Sequence, residues 1–231
     1  MTRDNRTNAA DDVEASESVQ VSRPRQRARR LATEEAIIDA FARVLVRDGV
    51  SGLGVNALIK EAGVGKKQVY EYFGGLSGVA TEWVTRRGVW PGIEALVGEP
   101  MEIFVARPPE ERLLRTNRSY AEMLRKNAPL CELLTGEFTR SPEVKDAVEH
   151  VRQLIRLDFE RVMMTGDDMA HPDLLALNTV AYSAATYLAL RAHSQPTFFG
   201  FDLSVETSWR TVLSMFERVV RLAGNSAGKI S

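Results

Sequence analysis

The side chains able to do acid–base, nucleophilic or metal chemistry are few and scattered along this chain. The three histidines, His150, His171 and His193, are dispersed, and no two have the spacing of a pair of metal ligands with a carboxylate. Asp167 and Asp168 lie close to His171, but a turn followed by a helix cap explains all three. The sequence contains no glycine-rich phosphate loop or nucleophile elbow. It therefore predicts no enzyme, no catalytic residue, no metal site and no cofactor.

The single cysteine, Cys131, lies in an apolar stretch that begins at Pro129. A lone cysteine forms no intrachain disulfide, and its neighbours favour a small core residue over a redox centre. The sequence has no apolar run long enough to span a membrane, and its polar start has no signal-type apolar stretch. We therefore expect a cytoplasmic protein with no membrane partner.

Binding to a polyanion is a second kind of chemistry, and the charge distribution points to it. The formal net charge is −1, yet residues 1–22 carry −3, residues 23–73 carry +4 and residues 74–231 carry −2. Within the positive segment, Lys66, Lys67 and Gln68 stand together. Lysine can donate to guanine, and glutamine can pair bidentately with adenine. These three residues are candidates for reading base edges, the alternative being ordinary solvated side chains.

Three short helices are predicted around this cluster. The first begins near Thr33 and stops at Gly49, the second runs from about Val55 to Ala62, and the third from Lys66 to Phe73. Gly63 falls in the turn between the last two, which outlines a helix-turn-helix. In such a unit the first turn of the third helix lies nearest the base edges of DNA.

The stretch LIKEAGVGKKQVYEYF, residues 58–73, resembles the tetracycline-repressor family of bacterial regulators. The match consists of an apolar pair, an Ala-Gly-Val turn, a small residue and a lysine, then an aliphatic-Tyr-x-Tyr-Phe ending. With the preceding helix it covers roughly residues 33–73, and beyond them only the architecture is similar. The resemblance implies a larger second domain that binds a small molecule and forms a homodimer through its last two helices.

Candidate DNA contacts come from the arginine-rich segment and the two helices of the turn. Pro24 opposes a helix at its own position, so residues 23–30 are expected to begin as an extended arm that reaches the minor groove or the backbone. An expendable solubilising tail is the alternative. The tyrosines are expected near phosphates, or else in the core. The predicted contacts are Arg27, Arg29, Arg30, Val55, Asn56, Gly65, Lys66, Lys67, Gln68, Tyr70 and Tyr72.

Three positions depart from the family pattern. Gly65 replaces the usual serine before the third helix, and Gly54 stands where a capping threonine is usual. Leu76 occupies the position of a lysine that commonly holds a phosphate. These departures leave open a second function, a helical ligand- or protein-binding module whose helix-turn-helix does not bind DNA.

The predicted fold is all-α, with about nine helices and no alternating strand segment. Its expected parts are a disordered, basic arm over residues 1–30, a helix-turn-helix domain over residues 31–75, and a helical ligand-binding and dimerisation domain over residues 76–231. A helix from about 171 to 193 is apolar on too many sides to lie on a surface, so a partner helix or another subunit must cover it.

In this second domain two sets of residues are predicted by side-chain type and position. Residues 198–201 are expected to form a loop that closes the pocket or packs at the interface. The alternative to the interface is burial wholly within one chain. The expected pocket residues are Trp83, Phe104, Tyr120, Met123, Phe138, Phe159, Met163, Tyr182 and Tyr187. The expected dimer interface comprises Leu177, Ala181, Ala184, Leu188, Trp209, Leu213 and Phe216.

The function expected from these observations is a one-component transcriptional regulator. We expect a homodimeric repressor whose partners are double-stranded DNA, as a palindromic operator, and an unknown small-molecule effector that releases it.

Overall fold

The computed structural model describes residues 9–163 and 172–227, and this part of the chain is almost entirely helical. It contains eleven α-helices, two short 3-10 helices at Val50–Gly52 and Thr135–Phe138, and one small hairpin. The α-helices are α1 Ala9–Asp48, α2 Val55–Ala62, α3 Lys66–Phe73, α4 Leu76–Arg86, α5 Ile93–Val97, α6 Met101–Val105, α7 Pro109–Arg125, α8 Ala128–Leu134, α9 Pro142–Met163, α10 Pro172–Ser194 and α11 Glu206–Ala227.

The first domain is formed by the end of α1 together with α2 and α3. One residue from each helix is fully buried in their shared hydrophobic core: Phe41, Leu58 and Val69. α2 ends at Gly63 and α3 ends at Gly74, both in the left-handed conformation with φ of 67° and 73°. Glycine adopts this conformation without steric cost, so the predicted helix-turn-helix and its turn are confirmed.

α4 links the first domain to the second. It packs on both α1 and α9, and the ring of Trp83 lies 5.2 Å from that of Phe41. α4 ends at Arg86, and α5 begins after Gly92, whose φ is 81°.

The second domain is built around α7, α9 and α10. α10 packs on α7 and α11, which explains its broadly apolar sequence. Tyr120 and Leu124 of α7 are fully buried in this core, as are Ala181 and Ala189 of α10. The predicted all-α architecture with a larger helical second domain is confirmed.

The structure has two more helices than expected and a short hairpin. α5 and α6 have five residues each, too few to show a helical repeat in the sequence. β1 (Thr197–Phe198) and β2 (Phe201–Asp202) pair antiparallel through a two-residue turn of Phe199 and Gly200, both with positive φ. The expected loop over residues 198–201 is therefore wrong in detail.

The arginine-rich segment is helical, so the expectation of an extended arm is wrong. α1 continues through Pro24, and residues 9–22, which were expected to be disordered, also lie in it. Thr33 is inside the helix, where its hydroxyl donates to the carbonyl of Arg29, rather than at its start. Two features offset the N–H donor that Pro24 lacks. The helix formers Arg, Gln and Ala lie close to it in sequence, and Arg30 forms an ion pair with Glu34, one helical turn later. Residues 1–8 lie outside the described residues.

Candidate nucleic-acid interface

The first turn of α3 presents polar side chains to solvent. Three of these residues are exposed, Gly65, Lys66 and Lys67, and Gln68 is half-buried. Val69 is fully buried and packs the helix onto the hydrophobic core. The predicted base-reading residues therefore share one accessible end of a helix that the core fixes in place.

Gln68 caps α3 in the absence of a side chain at Gly65. Its Oε1 accepts a hydrogen bond of 2.7 Å from the backbone N–H of Gly65. This is the half of a capping box that the third helical residue supplies. The Gln68 half of the box is thus kept although glycine supplies no side chain for the other half, and glutamine three residues after the cap position was the signal that sequence reasoning missed.

The two tyrosines of α3 have different surroundings. Tyr70 is 47% exposed, and the Nζ of Lys66 lies 5.8 Å from its ring centre. Tyr72 is half-buried, and the guanidinium of Arg30 lies over its ring at 4.7 Å. Tyr70 is therefore the more accessible of the two for a phosphate contact.

At the start of α2 the structure separates two predicted contacts. Asn56 is exposed, as a DNA contact must be. Val55 is only 3% exposed and belongs to the hydrophobic core. The first residue of this short helix therefore points its apolar side chain inward, and the predicted DNA contact at Val55 stays a prediction that its side chain does not support.

The basic helix preceding the first domain carries its arginines on the surface. Arg25, Arg27 and Arg29 are exposed. Arg30 is already engaged, since its Nε donates to Glu34 at 2.9 Å while its guanidinium stacks on Tyr72. Arg27 and Arg29 are accordingly more available to a phosphate backbone than Arg30.

A close approach between α3 and α4, absent from the sequence-based predictions, sets the position of α3. A Cβ atom added at Gly78 would lie 1.7 Å from the backbone oxygen of Phe73. Only glycine fits there, which lets α4 start directly against the end of α3. Leu76, the residue in place of the usual lysine, is 2% exposed and belongs to the core, so it makes no phosphate contact.

Ion pairs join the end of α4 to α1. Arg86 pairs with Glu34 and Glu35, and Arg87 pairs with Glu35 and Asp39. The hydrogen bond from Arg87, followed by that from Arg86, lowers the pKa of Glu35. This cluster ties the linking helix to the first domain.

A second junction joins the two domains near α8. The backbone N–H of Val50 donates to Glu132 Oε1 at 2.7 Å, across 82 positions of sequence. A Cβ atom at Gly136 would lie 2.7 Å from Val50 and 2.9 Å from both Val144 and Val148. The domains therefore meet without space for an additional methyl group.

The predicted pocket residues do not form one site. Phe159 and Tyr182 line a cavity of about 470 Å³ between α9 and α10, and Tyr120 stacks behind Tyr182 with ring centres 4.7 Å apart. The remaining residues do not line it: Trp83 packs with Phe41, Phe104 is fully buried, Met123 lies beside Asn127, and Phe138 and Tyr187 are exposed. The side chain of Met163 lies outside the described residues.

The predicted interface residues are divided between core and surface. Ala181, Trp209 and Leu213 are buried within one chain, because α10 and α11 pack on α7, so these predictions are wrong. Leu177, Ala184 and Leu188 are half-buried, and the side chain of Phe216 lies outside the described residues. The large apolar side chains exposed on these two helices are instead Val180, Tyr187, Met215, Val219 and Leu222.

Cys131 is a core residue, as predicted. It is 1% exposed, its Sγ lies 3.2 Å from the carbonyl oxygen of Leu124, and burial raises its pKa to about 12. Within residues 9–163 and 172–227, no group of His, Cys, Asp and Glu side chains is arranged to hold a metal ion, and no helix is long and apolar enough to cross a membrane. Asp167, Asp168 and His171 lie outside the described residues.

Comparison with known proteins identifies the first domain. Residues 37–77 match the family model described as bacterial regulatory proteins, tetR family. The match covers the end of α1, α2, α3 and the start of α4. The helix-turn-helix is that of a DNA-binding transcriptional regulator, and the predicted resemblance to the tetracycline-repressor family is confirmed.

The chain is also similar to solved structures at low sequence identity. The fatty acid degradation regulator FadR from Bacillus halodurans is 16% identical with a TM-score of 0.49, over 81% of this chain and 94% of that one. A TetR-family transcriptional regulator from Haemophilus influenzae is 18% identical with a TM-score of 0.45, over 80% of this chain and 94% of that one. No curated protein sequence matches the chain.

Proposed function

We propose that this protein is a homodimeric transcriptional repressor that binds a palindromic operator and is released by a small molecule bound in its second domain. The observation that carries the proposal is the exposed, basic first turn of α3 on a family helix-turn-helix. Base edges in the major groove are read by the first turn of such a helix.

Lys66 and Lys67 supply the donors that guanine accepts, and Gln68 the amide that pairs with adenine. Asn56 of α2 and Tyr70 of α3 are exposed on the same unit and can contact phosphates. Phosphate contacts set the position of the helix, and base contacts set the sequence that it prefers.

The direct test is binding to the DNA upstream of the protein's own gene, against a scrambled duplex of equal length. Lys66→Ala should weaken operator binding by about 1–3 kcal/mol and reduce the preference over the scrambled duplex. Lys145→Ala, an exposed lysine on α9, is the matched control and should bind normally. Equal binding of the wild type to both duplexes at physiological salt would contradict the proposal and favour a module without DNA recognition.

We propose that the exposed arginines of α1, before the first domain, contact the phosphates of DNA while they remain part of the helix. Replacing Arg25, Arg27 and Arg29 with glutamine preserves helix propensity and removes three positive charges. The slope of log affinity against log salt should become shallower by up to about three, since each lost phosphate contact contributes about one. An unchanged slope would mean that the arginines only improve solubility.

The homodimer is proposed to form through exposed apolar side chains of α10 and α11, chiefly Val180, Tyr187, Met215 and Val219. A two-helix face on each copy gives a four-helix interface around a two-fold axis. The two recognition helices then enter successive major grooves of a palindrome.

Release is proposed to act through α4, which contacts α1 and α3 in the first domain and α9 in the second. A ligand that displaces α9 changes the position of α4 and hence the separation of the two recognition helices. Such coupling requires the ligand to favour one dimer geometry over the other. Ligand added to the protein–operator complex should lower the operator affinity without changing the dimer's mass.

A further inference from the structure

The cavity between α9 and α10 has an apolar wall and a charged wall. Phe159, Tyr182 and Leu175 supply the apolar side, and the stems and charged groups of α9 supply the other. Its volume of about 470 Å³ is in the range of cavities that bind drug-sized molecules.

The aromatic side of the cavity is rigid. The ring of Phe159 stands at 85° to that of Tyr182, with centres 5.9 Å apart, and it also stacks on Trp90 at 6.0 Å. Tyr120 lies behind Tyr182, and its hydroxyl is 3.1 Å from Thr186 Oγ1. Since Thr186 donates its one proton to the carbonyl of Tyr182, the Tyr120 hydroxyl is the donor. Edges and faces of fixed rings suit a flat aromatic group.

The charged side contains one enclosed cation. The side chain of Arg152 is 19% exposed, and its terminal NH2 group pairs with Glu137 at 2.5 Å. Its Nε is buried and has no hydrogen-bond acceptor among the described residues. Because the Nε is buried, a ligand in the cavity can reach Arg152 only through its terminal nitrogens, on the exposed end of the guanidinium.

The other charged groups around the cavity do not cancel the attraction of Arg152 for an anionic ligand. Arg156 and Glu160 are paired with each other at 2.5 Å, with side chains 54% and 40% exposed. Glu149 lies in solvent at the rim. The carboxylates are therefore well hydrated or already paired, and the most enclosed of the charged groups lining the cavity is the guanidinium of Arg152. Arginine binds a carboxylate through two parallel N–H donors, which a neutral ligand cannot match.

We propose that this cavity binds an aromatic monocarboxylate, with its ring against Phe159 and Tyr182 and its carboxylate on Arg152. The inference rests on the proposed function in that it names the chemical class of the effector. The cavity proposal differs from the proposed function because it predicts that the ligand binds the free protein, independently of any effect on DNA binding.

The test is calorimetric titration of the full-length protein, without DNA, with naphthylacetate, naphthylacetamide and naphthylethylamine. These probes share a ring and differ in charge. The carboxylate should bind at least about tenfold more tightly than the amide, and the amine should not bind measurably. Equal affinities for acid and amide, or preference for the amine, would overturn the proposal.

Variants locate the site. Arg152→Met, which keeps the apolar stem, should lower naphthylacetate affinity about tenfold or more, and Arg152→Lys should recover only part of it because the two-pronged geometry is lost. Lys145→Met on the same helix is the control and should bind as the wild type does. Thr179→Trp fills the cavity mouth from an exposed position and should abolish binding while the protein stays folded by circular dichroism. Normal binding by both Arg152→Met and Thr179→Trp would overturn the assignment.

A second titration, of the protein–operator complex, separates the two proposals. Tight binding of naphthylacetate without release of DNA supports the cavity assignment and contradicts effector-driven release. Failure of the wild type to bind any operator contradicts the proposed function and leaves the cavity result intact. Absence of carboxylate binding to a protein that does bind its operator contradicts the cavity assignment alone.

Discussion

At the scale of single residues, Gln68 caps α3 and is also proposed to pair with adenine, and both roles use the same side chain. In the free protein its Oε1 caps α3 through the N–H of Gly65, whereas bidentate pairing with adenine needs both its oxygen and its nitrogen. We propose that the Gln68 side chain turns from Gly65 towards the base on binding, and that the helix N-terminus then offers the freed N–H to a DNA phosphate. The residue that stabilises α3 in solution is thus placed to exchange one partner for another on DNA.

Substitutions at Gln68 can separate these roles. Gln68→Glu keeps an acceptor for the Gly65 N–H and adds a favourable charge at the helix start, so thermal stability should be kept. It should nevertheless lose operator affinity, because a carboxylate cannot donate to adenine and is repelled by phosphate. Gln68→Ala should lose both the cap, about 0.5–1 kcal/mol of stability, and about 1–3 kcal/mol of operator binding. Melting curves and DNA titrations measure the two effects, and unchanged operator affinity in both variants would remove Gln68 from the base-reading set.

Cys131 gives a prediction in pH. Burial raises its pKa to about 12 in the folded protein, whereas an unfolded thiol ionises near 8.5. Above that lower value the unfolded chain releases a proton that the folded one keeps, so this group should make stability fall as pH rises from about 8.5 towards 12. At pH 8 iodoacetamide should label the protein only after unfolding, and Cys131→Ala should show a shallower loss of stability at alkaline pH. Rapid labelling of the folded protein would contradict the burial of this thiol.

At the scale of elements, the placement of α3 depends on the glycine at the start of α4. Alanine in place of a helical glycine normally stabilises a helix by about 1 kcal/mol. Gly78→Ala should do the opposite, because its Cβ would lie 1.7 Å from the backbone oxygen of Phe73 and force α3 away from α4. We expect a loss of about 1–3 kcal/mol in chemical denaturation, together with weaker operator binding. Ser77→Ala, one residue earlier in α4, is the control and should change neither.

The elements that sequence predicts well here are those specified locally. Gly63 and Gly74 terminate α2 and α3 by their own backbone preference, and apolar spacing gives the buried side of each helix. The arginine segment was predicted wrongly because the rule for Pro24 was applied without weighing the strong helix formers in residues 25–30 that follow it. The hairpin has only two residues in each strand, and such a length shows no alternation.

Contacts between distant elements could not be predicted in the same way. The bond from Val50 to Glu132 spans 82 positions, and nothing in either local sequence indicates the other. The predicted interface contained Ala181 because the helix over residues 171–193 is too apolar for a surface, and Trp209 because of its side-chain type and position in the last helix. Which apolar side chains the chain covers itself is decided by the packing of α7, so the exposed set around Val180 and Met215 emerged only from the structure.

At the scale of the whole molecule, DNA affinity is proposed to depend on pairing two copies. One helix-turn-helix makes few contacts, and joining two of them turns the second binding event into an intramolecular one, which multiplies affinity without new DNA contacts. The exposed apolar side chains of α10 and α11 provide the surface for that pairing. Disrupting them should therefore weaken operator binding from a position far from α3.

A charge placed on the exposed apolar surface of α10 and α11 tests whether operator affinity depends on dimerisation. Met215 and Tyr187 are 54% and 51% exposed, so Met215→Glu and Tyr187→Glu should fold normally yet oppose dimerisation, because a carboxylate would be buried without a partner. Light scattering should show a monomer, and affinity for the full palindrome should fall at least about tenfold while affinity for a single half-site stays unchanged. Leu157→Glu, at an equally exposed apolar residue on α9, is the matched control and should remain dimeric. A dimer in both variants would place the interface elsewhere, whereas a monomer that still binds the full palindrome normally would show that pairing is not needed for recognition.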